Sequence, residues 1–224
     1  MMGANSPHLL KNLIMAKKPL VYLDYGHYSG IPGHCSPDGK VVEAEVVRNI
    51  GRHIVKSLKK YNIEVKLIHP EDGIIGSPLN DLSVRSQRAN TYYNTDKDSY
   101  ECVFISLHVD ADGSSTWTAA HGCTFHIAPN SSTKSRALAE SYRDVFTKYL
   151  LTGNRKSPVR YSDFSVLLMT EMPAILVENL FMNNHEDCIY LLDETKDNVL
   201  VEPHVVAIWS YFMSLGDEIE WVKR

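Results

Sequence analysis

Leu20-Val21-Tyr22-Leu23-Asp24-Tyr25-Gly26-His27 is the stretch from which the fold can be read. Leu20 to Asp24 reads as a buried strand, and the run stops at a Gly-His turn. Two later stretches repeat the design. Cys102 to Leu107 is an apolar run that ends in His108, within Ile105-Ser106-Leu107-His108. Pro173-Ala174-Ile175-Leu176-Val177-Glu178 ends in a glutamate. Short, continuous apolar runs bounded by turn residues are what strands covered on both faces look like. In open parallel α/β sheets, functional groups collect at the carboxyl ends of strands. Two histidines and a glutamate, far apart in sequence, are therefore expected at one rim.

The chain between these runs alternates in type. From Glu43, a helix is expected with Val47, Ile50, Ile54, Val55 and Leu58 on one face. Ile63, Val65 and Leu67 alternate as in a strand that Pro70 stops. A short helix is expected over Leu82 to Tyr93, a strand over Gly122 to Ile127, and a long helix marked by Leu138, Tyr142, Val145, Phe146 and Tyr149. Val166 to Leu168 and Ala174 to Val177 read as two strands with a turn at Glu171-Met172-Pro173. Val201, Val205, Ile208, Trp209 and Phe212 mark a closing helix. Tyr28 to Lys40 and Gly73 to Pro78 read as loops. This alternation predicts a single α/β domain, with a mostly parallel central sheet flanked by helices on both faces. The domain is expected over 19–215, with an N-terminal extension at 1–18 and a C-terminal tail at 216–224. There is no internal repeat, low-complexity linker or composition break.

Composition narrows the function. The 224 residues suit one domain, and 44% apolar content builds a full core without disulfide staples. A net charge of -4 leaves no basic footprint for nucleic acid or anionic lipid. Cys35, Cys102, Cys123 and Cys188 are widely spaced and read as buried reduced thiols. No run approaches the ~20 apolar residues of a membrane span. Lys11 and Asn12 interrupt the apolar residues near the N-terminus, so no secretory signal is expected, and Met15-Ala16-Lys17-Lys18 reads as a second start.

The candidate chemistry is metal-assisted hydrolysis. Catalytic zinc takes His nitrogens and a carboxylate, with three protein ligands and a fourth position left to water. Taken alone, His27 reads as a hydrogen-bonded turn histidine and His108 as a strand-end histidine. Together, with Glu178 at the same rim, they point to a metal site. The third ligand is open between Glu43 and Glu45, both in the first turn of the helix after the His27 loop, where acidic residues are also favoured by the helix dipole. His34 is an alternative ligand.

These motifs carry a resemblance. The chain resembles the zinc-dependent N-acetylmuramoyl-L-alanine amidases of bacterial cell-separation enzymes and phage lysins, from about Leu20 to Leu192. The resemblance rests on Leu23-Asp24-Tyr25-Gly26-His27, on Glu45 and Asn49, and on Leu82, Arg85, Ala89 and Asn90. It continues through Ser106-Leu107-His108 and Met172-Pro173-Ala174-Ile175-Leu176-Val177-Glu178, with Phe181 and Asn184. Tyr28 after the first histidine, the Ile31-Pro32-Gly33-His34-Cys35 run and Asp110 depart from the family pattern. The resemblance implies one Zn2+ held by His27, Glu45 and His108, the Glu-to-Asn spacing favouring Glu45 over Glu43. It implies Glu178 as the catalytic carboxylate and a zinc-activated water cutting the amide between N-acetylmuramic acid and L-alanine of the stem peptide. Tyr28, Arg85 and Trp117 are candidate substrate contacts, Arg85 having a structural reading in the rim beside it. Peptidoglycan is the expected partner of a monomer. A phage lysin made in the cytoplasm without a signal peptide, acting on the wall after membrane breach, is the expected setting. The competing readings are a zinc peptidase acting within the stem peptide and an inactive wall-binding protein. The first lacks its usual His and Glu three residues apart, since Gly30 and Ala111 follow the two histidines at that spacing.

Overall fold

The computed structural model describes residues 16–28, 34–69, 77, 80–195 and 197–221. The expected N-terminal extension up to residue 15, most of the 73–78 loop and part of the 28–40 loop lie outside them. The described residues form a six-stranded sheet in the order β2-β1-β3-β6-β4-β5. Its strands are β1 (Lys18–Tyr25), β2 (Glu64–Leu67), β3 (Tyr100–Asp110), β4 (Thr124–Ile127), β5 (Val159–Tyr161) and β6 (Ala174–Phe181). The helices are α1 (Glu43–Leu58), α2 (Asp81–Asp96), α3 (Thr133–Lys148), α4 (Ser165–Leu168), α5 (His185–Leu191) and α6 (Val201–Ser214).

The three apolar runs are the three central strands, and all pair in parallel. Alternate residues divide between two cores. Val21, Leu23, Val103, Ile105, Ile175 and Val177 face a large cluster with Val47, Ile50 and Ile54 of α1, Leu138 and Phe146 of α3, and Ile208 and Phe212 of α6. Leu20, Tyr22, Phe104, Ala174 and Leu176 face a smaller cluster with Ala89 of α2 and Val166 and Leu167 of α4. Polar residues continue that second face upward: Asp24, Ser106, His108 and Glu178 follow at period two. The second face thus changes from apolar to chemical toward the strands' carboxyl ends.

The sheet is mostly parallel, as the sequence predicts, and within it some elements take a form that the alternation does not specify. Val166–Leu168 is helical, not a strand, because so short an apolar run carries no period of its own. β4 runs antiparallel to β6, because residues 111–123 join β3 to β4 at one end of the sheet without a crossover helix. Residues 216–220, expected as a tail, return to the sheet: Ile219 is buried and bridges Lys17, with Lys17 N donating to the Glu218 carbonyl at 2.8 Å. Cys102, Cys123 and Cys188 are buried thiols, whereas Cys35 is exposed. Among the described residues no helix is long and apolar enough to cross a membrane.

Candidate active site

His27, Glu43 and His108 each present a ligand atom, all within 4.8 Å of one another. Glu43 is the centre of the group. Its Oε1 accepts from His108 Nδ1 at 3.0 Å and from the Val109 backbone N–H at 3.0 Å. Its Oε2 accepts from His34 Nδ1 at 3.2 Å and lies 3.4 Å from His27 Nε2. The carboxylate is 2% exposed. Burial pushes its pKa up, but the hydrogen bonds from His108 and His34 and the charges of His108 and His27 outweigh burial and hold it well below the carboxylate range. Burial lowers His27 to about 4 despite the charge of Glu43.

Glu45 is exposed and is not part of this group. The expectation that it is the third ligand is corrected by helix geometry. At 3.6 residues per turn, side chains two apart point to opposite sides. The buried stripe of α1 runs through Val47, Ile50, Ile54 and Leu58. Glu43 lies four residues before Val47 on that stripe, and this was the sequence signal that could have identified it.

Glu178 is in register with His108 across β3 and β6. Its Oε2 is buried with no hydrogen-bond partner. Burial, with the charges of Glu43 and Asp110, raises its pKa well above the carboxylate range. An orphaned carboxyl oxygen beside two imidazoles and a carboxylate suits a cation and a water. Two nitrogens and one oxygen are the donor set of catalytic zinc.

The surroundings aim these groups. Gly26 has no side chain because the His108 ring crosses it: a Cβ there would lie 2.6 Å from His108 Cε1 and Nδ1. His27 adopts φ 57°, the left-handed region that ordinary residues seldom enter. Arg48 holds that turn by donating to the His27 carbonyl at 2.9 Å, and His69 Nδ1 donates to the Tyr25 carbonyl at 2.8 Å. Arg85 donates to Asp24 at 2.8 Å, and its Nε lies 3.0 Å from Asp81. Of the two readings of Arg85 the structure shows the structural one, a buried clamp on β1 with its guanidinium engaged by two buried carboxylates.

Of the other candidate contacts, Trp117 stacks on His185 with ring centroids 3.7 Å apart and packs against the larger core. Its loop is pinned by Asn183, which donates to Asp112 and to the Ser114 carbonyl. Tyr28 is half-buried directly after His27. Sequence reasoning missed Asn179, His204 and Tyr142. Asn179 donates to the His108 carbonyl at 3.0 Å, where the β3–β6 register shifts between His108 and Asp110. His204 Nε2 donates to Asn179 at 2.7 Å and its Nδ1 lies 3.2 Å from the Tyr142 hydroxyl. The position of His204 beside Val201, Val205 and Ile208 on the apolar face of α6 was the available signal.

Known proteins resemble this chain in sequence and in fold. The chain is 26% identical over 191 residues to an endolysin of Bacillus phage SPP1, covering 84% of this chain and 64% of the relative. It is 25% identical over 206 residues to the N-acetylmuramoyl-L-alanine amidase AmiC of Neisseria meningitidis, covering 75% of this chain and 46% of the relative. The chain thus spans about half to two thirds of the length of these relatives. The crystal structure of an N-acetylmuramoyl-L-alanine amidase from Clostridium difficile 630 superposes with TM-score 0.75 at 24% identity, over 90% of this chain and all of that one. The family model described as N-acetylmuramoyl-L-alanine amidase matches residues 21–209, a span that begins on β1 and ends within α6. That span covers most of the chain, and the chain belongs to the N-acetylmuramoyl-L-alanine amidase family.

Proposed function

We propose that this chain hydrolyses the amide bond between N-acetylmuramic acid and L-alanine in peptidoglycan, using one zinc ion held by His27, Glu43 and His108. The observation that carries the reading is the convergence of those three donors within 4.8 Å beside Glu178. Bound there, the cation would polarise the scissile carbonyl, lower the pKa of a water from near 16 to roughly 7, and offset the Glu43 charge that raises Glu178.

The protein's own part is proton handling and orientation. Glu178, ionised under that field, takes a proton from the attacking water. It returns the proton to the amine nitrogen as the carbon–nitrogen bond breaks. The amine then leaves neutral, and the new carboxyl stays on the lactyl group. Positioned acid–base work of this kind contributes about 10²–10⁴-fold. Glu178→Gln keeps the shape and removes the base. The variant is expected to bind zinc as the parent does and to lose about 10²–10⁴-fold in kcat. Equal turnover by parent and variant would remove Glu178 from the mechanism. The endolysin relative supports a lysin role for the chain, with the cell wall as its site of action.

A further inference from the structure

Beyond Glu178 the sheet carries a polar row toward its β5 edge. Thr124 is in register with Glu178 and His126 with Leu176. His126 is in turn in register with Arg160. Directly opposed residues share a face of a sheet, so Glu178, Thr124, His126 and Arg160 lie on one face. Val177, Phe125 and Val159 belong to the other. Thr124 and His126 are buried and mutually satisfied: Thr124 Oγ1 lies 3.0 Å from His126 Nε2, and His126 Nδ1 lies 2.7 Å from Ser162 Oγ. Arg160, at the end of the row, is exposed.

A second guanidinium comes from the loop before β5. Arg155 lies 4.4 Å over the ring of Phe181, which is in register with Asp110 at the end of β3. The Arg155 Nε–H is buried without a hydrogen-bond partner. Among the described residues neither arginine forms an ion pair. Arginine stacked on an aromatic ring keeps its planar fork for a bidentate anion.

We propose that Arg155 and Arg160 form a carboxylate subsite beside Glu178 that takes an acidic residue of the stem peptide. The proposal rests on the amidase reading. The lactyl carboxyl is consumed in the scissile amide, so a carboxylate recognised here belongs to the peptide on the amine side. The span agrees. Two strands across and two residues along puts the Arg160 Cα roughly 12 Å from that of Glu178. An extended peptide covers about 3.5 Å per residue. Arginine side chains close the remainder onto the second or third residue.

The test uses two synthetic muramoyl-peptides that differ only in having those carboxylates free or amidated. The parent is expected to favour the free acid by roughly five- to tenfold in kcat/KM, the range of a partly exposed charge pair. Arg155→Gln and Arg160→Gln each weaken that preference, and the double variant abolishes it, read as the ratio between the two peptides. Arg155→Lys, which keeps the charge, restores part of it. Binding of the same two compounds to Glu178→Gln protein, with and without the arginine substitutions, separates the subsite from the chemistry. A preference in binding without cleavage by any active form would uphold the subsite and sink the amidase reading. A double variant that still prefers the free acid, in binding or in cleavage, would overturn the subsite.

Discussion

Glu43 and Glu45 stand two residues apart on one helix and have opposite environments. Glu43 is buried among three imidazoles, and Glu45 faces solvent. Glu43→Gln is expected to weaken zinc binding at least ~10-fold in competition with a chromophoric chelator, because the amide brings no charge. Glu45→Gln is expected to leave it unchanged, and the reverse order would return the third ligand to Glu45. Gly26 tests the same centre from the backbone. Gly26→Ala drives a methyl to within 2.6 Å of the His108 ring and the Leu107 carbonyl. The ring must move, so zinc affinity is expected to fall even where the thermal midpoint falls by only a few degrees. An unchanged affinity would mean that the His108 position is not set by this contact.

At the scale of elements, the site depends on the pairing of β3 with β6. The register shift after His108 leaves its carbonyl to the Asn179 side chain, and Asn179 is held by His204 on α6. Asn179→Leu leaves the His108 carbonyl and the His204 N–H buried without partners. A loss of about 1–3 kcal/mol is expected in urea denaturation; a loss below a few tenths would show that water takes over the contact. The central strands were legible because their apolar runs end in residues of a different kind, Gly26-His27, His108 and Glu178. β5, with three residues, and α5, with seven, were not recognised, since neither is long enough to show a period. The same limit applies to α4, whose four residues fit a strand as well as a helical turn. At the site, both histidines and Glu178 could be picked out from strand ends, whereas the choice of Glu43 needed the phase of α1. Asn179 and His204 act through a register shift between strands distant in sequence, and no local pattern announces one.

Across the whole molecule, buried neutral histidines oppose folding in acid. Burial lowers His204 to about 3 and His126 to about 4. In the unfolded chain both return to about 6.5. Below that value the unfolded state binds more protons than the folded one, so stability rises with pH. The contribution is fully present above about pH 6.5 and is lost as pH falls toward 4 and then 3. Each histidine contributes at most about 1.4 kcal/mol per pH unit in that window. Glu178 and Asp110, raised by burial, act in the opposite direction over part of the same range, so the variant is read against the parent: between pH 7 and pH 5 His204→Gln is expected to lose less of its thermal midpoint than the parent, and an equal loss would contradict it. The proposed chemistry stands or falls on which bond is cut and on whether cutting requires zinc. Mass spectrometry of purified peptidoglycan digested by zinc-loaded protein, with and without chelator, tests it most directly. Stem peptides that begin at L-alanine are expected, absent when chelator is present and restored by added zinc. Cleavage within the peptide, or release that chelator leaves untouched, would contradict it.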